Sequence, residues 1–144
     1  MKSARVVLLI VCCSLPACVS VISHDEKAAA NAATEFANAA FVDRDFAKAH
    51  ELMAPDLRGR IAADKLPDLI AEMHPDSFPS QVVATDFEPM PGQRGMVIYL
   101  KGQGDTVEMY YRFVMEGDGA AGYRVTGLFR GNAPYVSTNK RPLS

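Results

Sequence analysis

Three histidines and three cysteines are the residues best suited to chemistry in this 144-residue chain, and their spacing limits what that chemistry can be. Cys12, Cys13 and Cys18 lie within the first eighteen residues, and no thiol follows. A zinc or redox centre built on cysteine is therefore excluded from the bulk of the chain, because such centres need several sulfur ligands brought together. No metal-ligand spacing links His24, His50 and His74, so neither a metal nor a cofactor is expected. The Gly-x-Ser-x-Gly pattern that lifts a serine nucleophile onto a strained turn is absent. Gly102-Gln103-Gly104 lacks the third glycine and the following helix that a phosphate cradle requires. His24 stands near the N-terminus and His74 precedes a proline in a loop, so both are expected in solvent. His50 stands one turn after Phe46, a spacing that can direct it inward, and Tyr111 is the obvious polar residue on the expected core face of the sheet. The plainer reading is that Tyr111 satisfies its hydroxyl with a backbone group inside the core.

Composition narrows the partners. A formal charge of −2, an apolar fraction of 49% and a charged fraction of 22% describe an ordinary globular chain. No basic excess exists to drive phosphate neutralisation, so no nucleic-acid partner is expected.

The elements that would position these residues begin after a leader. Lys2 and Arg5 precede an apolar run from Val6 to Leu15, the plan of a secretory signal peptide. The run is about half the roughly 20 residues that a membrane-spanning helix needs. Leu15-Pro16-Ala17-Cys18, which closes it, resembles the bacterial lipobox. That resemblance implies a diacylglyceryl thioether on Cys18, cleavage between Ala17 and Cys18, and acylation of the new amine; the plainer alternative is a cleaved signal with an incidental cysteine. Acyl chains contribute about 0.8 kcal/mol per buried CH₂, so two or three of them anchor a protein durably. Val19 in place of an aspartate implies the periplasmic face of the outer membrane. Loss of the leader removes Lys2 and Arg5 and takes the formal charge to −4. Four segments result: residues 1–17 as leader, 18–23 as lipidated tether, 24–131 as one domain, and 132–144 as a flexible tail.

Within the domain, helices come first. Ser23 and Glu26 have capping-box spacing. Ala29, Ala33, Phe36 and Ala40 form an apolar stripe on a helix running to about Phe41. Asp45 should cap a second helix carrying Phe46, Ala49 and Met53. After Pro55, a short turn should lead to a third, capped by Asp64, with Pro67 in its first turn and Leu66, Leu69, Ile70 and Met73 on its apolar face. Period-two alternation then marks strands over Gln81–Glu88, Met96–Lys101, Thr106–Glu116 and Tyr123–Arg130, joined by short glycine-rich turns. Short connections make successive strands antiparallel neighbours, so the class is α+β: three helices covering one face of a four-stranded meander.

Alternation also assigns the faces of that sheet. Val107, Met109, Tyr111, Phe113 and Met115 share the core side with Met96, Ile98 and Leu100, with Tyr123, Val125 and Phe129, and with Val83, Thr85 and Phe87. The opposite side carries Tyr99, Lys101, Tyr110, Arg112, Arg124 and Arg130. Tyrosine and arginine are enriched at protein interfaces, so this face is the candidate contact surface, for a homodimer or an envelope partner.

The segment Ala49-His50-Glu51-Leu52-Met53-Ala54-Pro55-Asp56-Leu57-Arg58, the Asp43-Arg44-Asp45-Phe46 turn and Tyr123-Arg124-Val125-Thr126-Gly127-Leu128 resemble small secreted members of the nuclear transport factor 2-like superfamily. The resemblance implies a curved, cone-like sheet; a cystatin-like arrangement, with one main helix, is its neighbour. The superfamily includes isomerase- and lyase-like enzymes with pockets of Asp, His and Tyr, so the resemblance implies, as the enzyme alternative, a pocket built on Tyr111 and His50 with His as base and Tyr holding a developing oxyanion. The expectation from the whole sequence is a membrane-anchored lipoprotein with a non-catalytic domain that binds a small apolar ligand or a protein partner. A pocket enzyme and a structural component of an envelope assembly are the alternatives.

Overall fold

Asp25, not Ser23, starts the first helix. Its carboxylate accepts the Ala28 N–H at 2.9 Å and so satisfies one unpaired first-turn donor of α1 (Glu26–Ala37). The computed structural model describes residues 22–144; the leader and Cys18, with its proposed lipid, lie outside the described residues. Ala29, Ala33 and Phe36 are fully buried along α1, the stripe expected from their spacing. Past Ala37 the helix widens into a π-helical turn over Asn38–Val42, with the Asp43 N–H donating to Asn38 O at 2.8 Å. The wider turn brings Ala39, Ala40 and Phe41 into the core together.

Asp45 caps α2 (Phe46–Glu51) as expected, accepting the Lys48 N–H at 3.0 Å. Two further helices follow instead of one. Pro55, whose fixed φ suits a first helical position, opens the short α3 (Pro55–Arg60). In α4 (Leu66–Met73) the cap position belongs to Lys65, without a side-chain bond, so Asp64 does not cap it; Pro67 does sit in the first turn.

Five strands form one antiparallel sheet in the order β4-β3-β2-β1-β5: β1 (Gln81–Pro89), β2 (Gly95–Gln103), β3 (Glu108–Asp118), β4 (Gly122–Gly131) and β5 (Arg141–Pro142). The class is α+β, with the meander as expected and a fifth strand added. Pairing of β2 with β3 is unbroken from Gly95–Glu116 to Gln103–Glu108. Met96, Ile98 and Leu100 therefore share the buried face with Met109, Tyr111, Phe113 and Met115. Val107 precedes β3 and is exposed, not in that row.

Two bulges overturn the face assignment elsewhere. In β1 the register shifts between Ala84 and Asp86, so Val82 and Ala84 face the core before the bulge and Phe87 after it. Val83 is consequently exposed, and Thr85 turns its hydroxyl to Tyr99 O at 3.4 Å. In β4, Val125 pairs with Met115 and Gly127 with Val114, which leaves Thr126 as the extra residue. Beyond it Leu128 and Arg130 take the inner face and Phe129 the outer, the reverse of simple alternation.

Both sheet edges are partly covered, which limits the unpaired N–H and C=O groups they present. At β4, the Ala54 N–H donates to Val125 O at 2.7 Å and the Val125 N–H to Leu52 O at 3.2 Å. At β1, Arg141 and Pro142 pair with Phe87 and Asp86, and the Leu143 N–H donates to Thr85 O at 3.0 Å. Residues 132–144 are thus a strap across the sheet rather than the free tail expected, and the folded unit extends beyond residue 131.

Candidate functional site

The buried polar centre of the molecule is His74 with Tyr111. His74 caps the C-terminus of α4 and is only 4% exposed, although the sequence suggests a solvated loop. Its Nδ1 lies 2.8 Å from Ile70 O, four residues earlier. A carbonyl only accepts, so Nδ1 carries the proton and Nε2 is an acceptor. The Tyr111 hydroxyl, 2.8 Å away, donates to that Nε2. Burial pushes the His74 pKa down; the Ile70 carbonyl opposes this and the Arg130 guanidinium adds to it. Burial likewise raises the Tyr111 pKa, with Arg130 working weakly against. A neutral imidazole and a neutral phenol are therefore locked together.

Aromatic packing encloses the pair. The Phe41 ring stacks on Tyr111 at 4.9 Å and lies 4.8 Å from His74, whose other neighbour is Phe78 at 4.9 Å. Phe36 and Phe113, 5.6 Å apart and edge to face, continue the stack along α1 and β3. Gly102 lets the Tyr111 ring cross β2: a Cβ there would stand 2.9 Å from Tyr111 Cε2. Arg130, brought inward by the Thr126 bulge, donates from Nη1 to Met73 O.

His50 is elsewhere. Its Nε2 bonds Ile61 O at 2.9 Å, on the short connection after α3. The alternative His50–Tyr111 pair does not form: His50 is turned to Ile61 O, and the Tyr111 hydroxyl meets the His74 side chain rather than a backbone group. Nor does Tyr111 meet the requirement for an oxyanion donor, a proton aimed at an open position. Among the described residues, no group of three or more His, Cys, Asp or Glu side chains could hold a metal ion.

The outer face is the second polar region, and the strap divides it. Tyr99 is 5% exposed rather than open. The Tyr135 ring stands 6.2 Å from it, and Lys140 Nζ lies 4.9 Å over its ring. The Tyr99 hydroxyl donates to Glu88 Oε2 at 2.9 Å, and the Ser137 hydroxyl donates to the same oxygen at 2.8 Å. Those two bonds, Ser137 first, hold the Glu88 carboxyl below its ordinary range. Burial, then the Glu88 contact, raises Tyr99. Lys140 also pairs with Asp86 at 3.4 Å. Between strap and sheet lies a recess of about 210 Å³ lined by Asp86, Tyr99, Lys101, Tyr110, Tyr135 and Lys140.

The remaining face is open. Lys101 pairs with Glu108 at 2.5 Å, and the Tyr110 hydroxyl donates to the same carboxylate at 2.6 Å. Arg112 lies over the Phe129 ring at 5.3 Å, and Phe129 is 49% exposed. Arg124, also exposed, donates to Glu51 O at 2.6 Å. Of the six residues expected on a contact surface, Lys101, Tyr110, Arg112 and Arg124 retain exposure, Tyr99 is covered and Arg130 faces inward. Phe129, which alternation assigns to the core, joins that surface in place of Arg130.

Compared with known protein families, curated proteins and solved structures, the chain finds no match. Among the described residues, no helix is long and apolar enough to cross a membrane.

Proposed function

We propose that the protein is a lipid-anchored envelope lipoprotein whose domain, a cone of the nuclear transport factor 2-like kind, is a non-catalytic interaction module for a protein partner. Leu15-Pro16-Ala17-Cys18 supports the anchor, and Val19 after it supports a site on the periplasmic face of the outer membrane. The bulges in β1 and β4, which increase local twist, and the run of α1 against the inner face support the cone.

The observation that carries the interaction reading is the filled interior. Phe36, Phe41, Tyr111 and Phe113 occupy the space where a small apolar ligand would sit, all at 0% exposure. That favours a protein over a small apolar ligand. The isomerase- or lyase-like alternative draws no support from His50 and Tyr111, which do not meet. Arg112 stacked on the half-exposed Phe129 is the combination on which interface hot spots are commonly built, and a second copy of the chain or another envelope protein would serve as partner. Sedimentation velocity of the detergent-solubilised lipoprotein tests this. The native protein should run as a complex that Arg112→Glu with Phe129→Ser reduces to the monomer. An unchanged boundary would count against the reading.

A further inference from the structure

We infer that the end of the domain carrying the β1–β2 and β3–β4 turns lies against the phospholipid headgroups, with the His74–Arg130 end directed away from the bilayer; this rests on the lipid-anchor reading. The first described residues are pinned to one place. Ser23 O accepts the Gly119 N–H at 2.8 Å, and the Asp25 N–H donates to the Tyr123 hydroxyl at 2.9 Å. Gly119 permits this approach, since a Cβ there would stand 3.3 Å from Asp25 Cβ and 3.4 Å from Ser23 O. Tyr123 is itself buried, so its hydroxyl is a fixed post.

Lengths then decide the orientation. From Cys18 to Ser23 the chain advances five residues and reaches at most about 18 Å. Gly95 pairs with Glu116, so the β1–β2 turn sits beside the β3–β4 turn. The Gly117 N–H donates to Arg94 O at 3.1 Å across them. The β2–β3 turn begins beyond the Gln103–Glu108 pair, eight ladder positions from Gly95–Glu116, or about 27 Å at 3.4 Å per residue. A lipid on Cys18 cannot reach that far end while Ser23 and Asp25 keep their bonds.

The near end also suits a zwitterionic surface. Gly92, Gln93, Ala120 and Ala121 are exposed and uncharged, Arg94 and Asp118 neutralise each other at 2.8 Å, and the exposed Glu116 and Arg124, of opposite sign, are cross-strand partners. The mature chain has no thiol besides the lipidated Cys18, so single-cysteine labelling reads the orientation directly. Ala120→Cys on the near turn and Asp105→Cys on the far turn would each carry a fluorophore in the full lipidated protein. The protein would be reconstituted in phosphatidylethanolamine–phosphatidylcholine vesicles containing a headgroup-nitroxide lipid. Quenching should be several-fold stronger at position 120 than at 105. Equal quenching, or stronger quenching at 105, in vesicle-bound protein overturns the orientation while leaving the anchor intact. Protein that fails to sediment with the vesicles overturns the anchor and the orientation with it.

Discussion

Replacing Tyr111 with phenylalanine removes one oxygen and leaves the ring, so the variant removes the hydroxyl's bond to His74 Nε2 together with its weaker 3.2 Å contact to Met109 Sδ. His74 donates from Nδ1 to Ile70 O, which leaves Nε2 needing a donor; Tyr111 supplies it at 2.8 Å. Both side chains are buried, at 4% and 0% exposure, and no other donor bonds that nitrogen among the described residues. The variant therefore leaves a buried acceptor unsatisfied, which costs about 1–3 kcal/mol. Phe41 and Gly102 still hold the ring, so little surface is newly exposed and the denaturant slope should not change. Urea unfolding followed by far-ultraviolet circular dichroism should show a lower midpoint with the native slope. His50→Ala, which loses only a partly exposed bond to Ile61 O, should cost about 1 kcal/mol or less. A loss below about 0.5 kcal/mol for Tyr111→Phe, the scatter of surface substitutions, would refute the account of the His74–Tyr111 lock.

The pKa of His74 is lowered in the fold, so its contribution to stability is fully present above the unfolded value of 6.5 and is lost as pH falls below it. The free energy of unfolding in urea should fall between pH 7 and pH 5.5, by at most about 1.4 kcal/mol per pH unit for one proton, and more steeply than in His74→Gln; equal slopes would contradict this. Gly102→Ala would bring a Cβ within 2.9 Å of Tyr111 Cε2 and 3.1 Å of Pro79 Cβ. Overpacking of that kind costs about 1–3 kcal/mol, and an unchanged midpoint would show that Tyr111 can shift at no cost. Cys18→Ala should abolish incorporation of radioactive palmitate and release the protein from membranes; persistent labelling would end the anchor proposal.

Regular stretches of the fold were legible from residue pattern alone. The Ala29–Ala33–Phe36 stripe and the alternation in β2 and β3 lie in elements without interruption, so period and burial agree. Alternation failed where a bulge intervenes. One extra residue at Thr126 exchanged the sides of Phe129 and Arg130, and another at Thr85 exposed Val83. No composition signal marks either bulge, because backbone register is decided by pairing with β3 and β2. His74 did carry a signal: it stands four residues after Ile70, on the apolar stripe of α4, where a ring nitrogen meets the last helical carbonyls. The proline that follows suggested a loop and concealed that placement. The strap was illegible for a different reason. Its hold on the sheet depends on the two-residue pairing of Arg141 and Pro142 with β1 and on contacts from Tyr135, Ser137 and Lys140 to residues 36 to 54 positions earlier, which no local period encodes.

The proposal that this domain acts through its outer face, not its interior, is tested most directly by photo-crosslinking in living cells. A benzophenone amino acid at position 129, on the half-exposed Phe129 site, should give one discrete adduct. The same group at the exposed Ala71 on α4 should give none. Loss of the 129 adduct on Arg112→Glu would complete the case. Absence of any adduct at 129, or identical adducts from both positions, would contradict it.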